Sequence, residues 1–186
     1  GITSVTANHA GVAVQVSNNS ALVSVKGLGG LHGDINGSVV LSGNPSLYDL
    51  TGLQGVAGLG SDEAGQSLSV SDNVILANLL GLEGITAVDG AIAINDNPSL
   101  PNLDGLDALQ RVAGANAYGE SISVVRNDNL TSVTAFAHVC GTLKGSVDVS
   151  GNPNLASMDG LSCVTAISGK NSVGVSFQVS NNSNLT

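Results

Sequence analysis

The chain has 186 residues, of which 42% are apolar and 10% charged, with 14 acidic against five basic side chains and a formal net charge of −9. Lys26, Arg111, Arg126, Lys144 and Lys170 are scattered singly, which excludes the clustered cations that a phosphate backbone requires and with them a nucleic-acid partner. Two Phe, two Tyr and no Trp mean that the core is aliphatic, and no apolar run reaches the roughly 18 residues of a membrane-spanning helix.

In chain order, one short element is written seven times. The copies are "VQVSNNSAL" (14–22), "VVLSGNPSL" (39–47), "LSVSDNVIL" (68–76), "IAINDNPSL" (92–100), "ISVVRNDNL" (122–130), "VDVSGNPNL" (147–155) and "FQVSNNSNL" (177–185). Each opens with alternating residues whose first and third members are apolar. That is the signature of a strand with one buried face. Each then reaches an asparagine: Asn19, Asn44, Asn73, Asn97, Asn127, Asn152 and Asn182.

Beyond the asparagine the pattern is N-x-x-L-x-x-L-x-G-L followed, two residues on, by another aliphatic. The leucine column is Leu22, Leu47, Leu76, Leu100, Leu130, Leu155 and Leu185, and the last column is Leu31, Val56, Ile85, Leu109, Val139 and Val164. A three-residue spacing broken by glycine is too short for an ordinary α-helix. No copy can bury its aliphatics alone, so stacking must complete the core. The prediction is an all-β, single-domain β-solenoid of about seven coils of 24–30 residues, spanning residues 1–186 and roughly 30 Å long at the inter-strand spacing of a sheet. Seven asparagines at one corner predict a ladder of buried amides that bond the backbone of their own and the neighbouring coil.

The period alternates between short and long coils. The extra residues fall in 6–13, 59–66, 114–121 and 168–175, so these loops should form one row on one side, where a rigid scaffold displays binding residues. The outward strand positions, among them Gln15, Ser69, Asp148 and Gln178, make a flat ribbon of small side chains. An ice-binding face would have that flatness, but a lattice-matching surface would hold one residue type, and this column does not.

Cys140 and Cys163 fall on adjacent coils, one just after and one just before the last aliphatic column. This places their Cα atoms toward the upper end of the ~4.4–6.8 Å disulfide range, and an oxidised pair is predicted. N-glycosylation sequons occur at Asn18, Asn36, Asn129, Asn181 and Asn184, with Asn18 and Asn181 at an outward spot just before the ladder. His9, His32 and His138 are isolated from any metal-ligand spacing. Asp104 and Asp159 share a column two coils apart and read as solvated, as does the acidic run Ser61–Glu63. No nucleophile–base pair, phosphate loop or cofactor motif is present, and the reading is of a protein that is not an enzyme.

The pattern "I-x-I-x-x-N-x-x-L-x-x-L-x-G-L-x-x-I" resembles the receptor L-domain repeat, a relative of leucine-rich repeats whose N-x-L is here N-x-x-L. The resemblance covers essentially the whole chain. It implies an L-domain-like right-handed β-helix and an extracellular, non-enzymatic module, since L-domains occur in growth-factor receptor ectodomains, fungal wall proteins, and protist and algal surface proteins. The expected role is a structural or adhesive repeat of a cell surface, wall or filament. The alternative is a ligand-binding receptor module. The expected partners are protein or polysaccharide at the cell surface, or sister copies end to end. Receptor modules are richer in Cys and have capped ends. Here both ends fall in mid-coil, which predicts a segment of a longer repeat protein.

Overall fold

The computed structural model describes all 186 residues, Gly1–Thr186. The strands are β1 Val12–Ser17, β2 His32–Ile35, β3 Ser38–Ser42, β4 Gly55–Leu59, β5 Gln66–Ser71, β6 Ala87–Val88 and β7 Ala91–Asn95. They continue as β8 Arg111–Val112, β9 Glu120–Val125, β10 Gly141–Leu143, β11 Ser146–Ser150, β12 Val164–Ile167 and β13 Phe177–Ser180. No α-helix is present; the chain makes only three single 3-10 turns, at Lys26–Leu28, Thr134–Phe136 and Asp159–Leu161.

Every odd-numbered strand belongs to one seven-stranded sheet in the order β1-β3-β5-β7-β9-β11-β13, and all its pairs are parallel. The even-numbered strands form a second wall, four strands β2-β4-β6-β8 and then the pair β10-β12. Parallel neighbours joined by one full circuit of chain make this a β-solenoid. The seven strand copies bound about six complete turns, one fewer than the number of copies suggested, because a circuit closes only when the next copy is reached.

One continuous cluster of 36 buried residues fills the interior. Leu47, Leu50, Leu76, Leu79, Leu100 and Leu103 are sealed within it, as the three-residue leucine spacing requires. The structure adds a further aliphatic column: Ile35, Leu59, Val88, Val112 and Leu143 are buried and Ile167 is half-buried. It lies three residues after the preceding column in four coils. It lies four residues after in the coils of Ile35 and Leu143. The register of the second wall slips there, at Gly33/Asp34 and Gly141/Thr142. Gly33 and Gly141 take φ of +75° and +92°, with nothing within 4 Å of the place a Cβ would occupy, so these glycines serve conformation and not space.

That extra residue changes the disulfide geometry. Gly141, not Val139, pairs with Val164, so Cys140 comes directly opposite Cys163. They form a disulfide with a Cα–Cα distance of 4.5 Å, at the lower end of the range and not the upper.

At the opposite corner each strand ends on a residue in the left-handed region: Asn18, Gly43, Asp72, Asp96, Arg126, Gly151 and Asn181, with φ of 56–69°. This reversal aims the following asparagine at its neighbours. The N–H of each asparagine from Asn19 to Asn152 donates to the Oδ1 of the next one along at 2.8–3.2 Å. The Nδ2 of each from Asn44 to Asn182 donates to a strand carbonyl of the preceding coil at 2.8–2.9 Å: Val16, Leu41, Val70, Ile94, Val124 and Val149. Asn44, Asn73, Asn97, Asn127 and Asn152 are fully buried. Asn182 is half-buried and Asn19 exposed, because each borders a single neighbouring coil.

Replacing Asn97 by Ala strips partners from the Asn73 N–H and the Val70 carbonyl. At about 1–3 kcal/mol for each orphaned buried group, urea denaturation should show a loss of about 3 kcal/mol or more. Asn19→Ala, at an exposed rung, should cost less than about 1 kcal/mol; equal losses would remove the ladder from the stability account.

Candidate functional site

The alternating coil length resolves into one repeated turn. Residues Asn8–Gly11, Asp62–Gly65, Asn116–Gly119 and Asn171–Gly174 each read Asn or Asp, two free positions, then Gly. In every case the leading side-chain Oδ1 accepts the N–H of the residue after the glycine, from Val12, Gln66, Glu120 and Val175 at 2.9–3.0 Å. The leading residue's own N–H returns to that residue's carbonyl at 2.8–2.9 Å, and the glycine N–H closes the turn onto the leading carbonyl at 2.8–3.0 Å. Four turns therefore share one frame. The sequence locates the loops by length, but the frame was legible only as a recurring N/D-x-x-G, which local reading takes for ordinary loop composition.

The turns sit at the corner where the second wall passes into the seven-stranded sheet, and they form one stacked row. Glu63 N–H donates to the Ala10 carbonyl at 2.9 Å, and Ala117 N–H to the Ala64 carbonyl at 2.6 Å. The fourth turn packs on the third, with the Lys170 carbonyl against Gly119. The intervening short coils lock in beneath. Ser38, Ala91 and Ser146 donate their N–H groups to the carbonyls of Gly11, Gly65 and Gly119 at 2.7–3.0 Å. The Gln66 side chain bridges two long coils across the short one: its Nε2 donates to the Ala91 carbonyl at 2.9 Å, and its Oε1 accepts from Asn116 Nδ2 at 3.4 Å. Within the row the exposed tips differ: His9 and Ala10, Glu63 and Ala64, Ala117 and Tyr118, Ser172 and Val173. Its two large apolar tips, Tyr118 and Val173, are 67% and 77% exposed.

The ribbon of the seven-stranded sheet is the second feature. Ser17, Ser42, Ser71, Asn95, Val125, Ser150 and Ser180 stand in one row by strand register. Neighbouring hydroxyls bond to one another at both ends of it, Ser42 to Ser17 at 3.0 Å and Ser180 to Ser150 at 3.1 Å. Asp148 is tied down by Ser150. Much of the ribbon's polar surface is therefore bonded to itself.

The remaining candidates are dispersed. His9, His32 and His138 are each exposed and belong to different coils. No three His, Cys, Asp or Glu side chains converge where they could hold a metal ion. Asp104 and Asp159 are exposed. Asp62 is spent within its turn, its second oxygen accepting the Ser38 hydroxyl at 3.1 Å. Arg126 makes two hydrogen bonds to Asp96, at 2.6 and 2.7 Å. These bonds, and then the charge of Asp96, raise the guanidinium pKa above its usual value. Asn18, Asn36, Asn129, Asn181 and Asn184 are all exposed.

The row makes a clear expectation for its glycines. A Cβ on Gly119, at φ +83°, would meet the Lys170 carbonyl at 2.2 Å, whereas one on Gly174, at φ +89°, meets nothing within 4 Å. Gly174→Ala should cost about 1–2 kcal/mol, the left-handed strain alone. Gly119→Ala should cost clearly more and speed hydrogen exchange at Ala117. Equal effects would mean that the turns do not support one another.

Compared with known protein families, residues 62–161 match the one described as Receptor L domain. No curated protein and no solved structure gives a match. The matched segment takes in just over half of the chain, including four of the seven strand copies with their asparagine rungs, and the chain belongs to the receptor L-domain family.

Proposed function

We propose that this protein is an extracellular adhesive recognition module that binds a protein partner at a cell surface or wall through the row of four stacked turns. The carrying observation is the contrast inside that row: the Asx and Gly frame is the same four times, while the exposed tip residues differ each time. A frame closed by its own backbone hydrogen bonds presents its tips with little entropy left to lose on binding, and rigid presentation of varied side chains suits recognition. Receptor L domains are non-catalytic and extracellular. The Cys140–Cys163 disulfide fits an oxidising compartment. No helix is long and apolar enough to cross a membrane.

A second reading has its own support. The level hydroxyl ribbon and the low charge density suit packing against polysaccharide or sister molecules, since few charges would be desolvated. The two readings separate in an adhesion assay with protein-coated beads on cells treated with protease or with glycosidase. Changing the tips by Glu63→Ser, Tyr118→Ser and Val173→Ser leaves the frame intact. On the turn reading it should cut adhesion at least about tenfold, as loss of interface hot spots does, and protease treatment of the cells should do the same. If adhesion instead falls only with Gln15→Lys, Ser69→Lys and Gln178→Lys, and only glycosidase abolishes it, the ribbon is the binding face.

The five exposed sequon asparagines are proposed glycan sites, with Asn18 and Asn181 foremost. Intact mass of the secreted protein should drop by whole glycans on glycosidase treatment; an unchanged mass would remove them.

A further inference from the structure

The side of the coil between the two sheets, opposite the row of turns, carries five of the nine exposed large apolar side chains: Val23 at 64%, Tyr48 at 55%, Val74 at 49%, Leu80 at 46% and Ile75 at 45% exposed. They are neighbours across coils. Tyr48 N–H donates to the Val23 carbonyl at 3.4 Å and Ala77 N–H to the Tyr48 carbonyl at 3.0 Å, while Leu50 N–H reaches the Leu80 carbonyl at 3.1 Å. Farther along the same rows lie the exposed Pro101 and Ala156 and the polar Asn129, Thr131 and Asn154. The large exposed apolar side chains of that face are therefore confined to its first three coils, and the sequon at Asn129 lies in a later one. Contiguous exposed apolar surface of this kind marks an interaction site.

The patch runs directly into charge. Val74 also lines a cleft of about 360 Å³ with Asp72, Asp96, Pro98, Arg126 and Asp128. Arg126 is committed to Asp96, and neither Asp72 nor Asp128 has an ion-pair partner. Asp104 is exposed close by, in the row of Leu80, where Lys26 is the one cation. A second copy of this chain, itself at net −9, would bring like charges together in a symmetric pairing, and anionic lipid would meet the same repulsion.

We propose that Val23, Tyr48, Val74, Ile75 and Leu80, with the adjoining cleft of Asp72, Asp96 and Asp128, form a docking surface for a protein segment that carries Lys or Arg beside aliphatic or aromatic side chains. The cation enters the cleft at Val74 and meets Asp72 and Asp128. The apolar side chains cover Tyr48 and Ile75. The surface is separate from the row of turns, so each can fail without the other.

The test uses the full chain in fluorescence anisotropy with a labelled peptide of alternating Lys and Leu, and a twin with Glu in place of Lys. The Lys peptide should bind and the Glu peptide should not. Tyr48→Ser combined with Val74→Ser and Ile75→Ser should weaken binding at least about tenfold, the scale of interface hot spots. Asp72→Asn with Asp128→Asn should weaken it several-fold and flatten its salt dependence, and Tyr118→Ser in the row of turns should change nothing. Equal binding of the two peptides would overturn the proposal, as would undiminished binding by the apolar variant. So would a concentration-dependent dimer, seen in sedimentation, that the apolar variant abolishes, since the occupant would then be a second copy.

Discussion

The structure depends on what happens at one corner of each coil. A parallel strand that must turn sharply leaves backbone N–H and C=O groups facing the interior, where no water can reach them. The asparagine that follows the left-handed residue answers both kinds at once. Its Oδ1 receives N–H from the asparagine behind it, and its Nδ2 reaches a strand carbonyl of that same coil. Five such rungs are fully buried. Each rung holds its neighbour in register, and only side chains with an acceptor and a donor on one short stem can do this.

A single strict anchor per coil explains what is free to vary. Between the strand and its asparagine the seven copies admit no insertion. Elsewhere the circuit lengthens and shortens: by five or six residues at the row of turns, and by one at Gly33 and Gly141. The variation is itself organised. Lengthening every second coil gives each turn room to rest on the next, with the short coils bonded beneath, so the insertions add a rigid layer instead of slack loops. The one-residue slip, in turn, sets Cys140 against Cys163.

These features assign different work to the sides of the rod. The seven-stranded sheet carries a row of small side chains, several of them bonded to one another. The corner with the turns repeats a frame and varies its tips. The side between the sheets gathers its large exposed apolar side chains in its first three coils. A chain with few charges and an aliphatic interior keeps these surfaces at fixed spacing.

The sequence by itself determined the architecture, because a solenoid is periodic and each layer repeats the same local problem. The leucine columns, the strand face and the asparagine position of Asn97 or Asn127 are each set by contacts one coil away, and one coil away in space is one repeat away in sequence. The receptor L-domain family followed from those same columns. The tertiary structure decided whatever breaks the period or spans more than one coil. The extra residue before Leu143 shifts the alignment and cannot be seen until Gly141 pairs with Val164. The burial of Asn44 against the exposure of Asn19 depends on how many neighbours a rung has. The meeting of Val23, Tyr48 and Val74 beside Asp72 and Asp128 joins residues that no single repeat contains. Periodic features repeat their evidence in every copy, whereas a surface assembled from several copies leaves its evidence only in three dimensions.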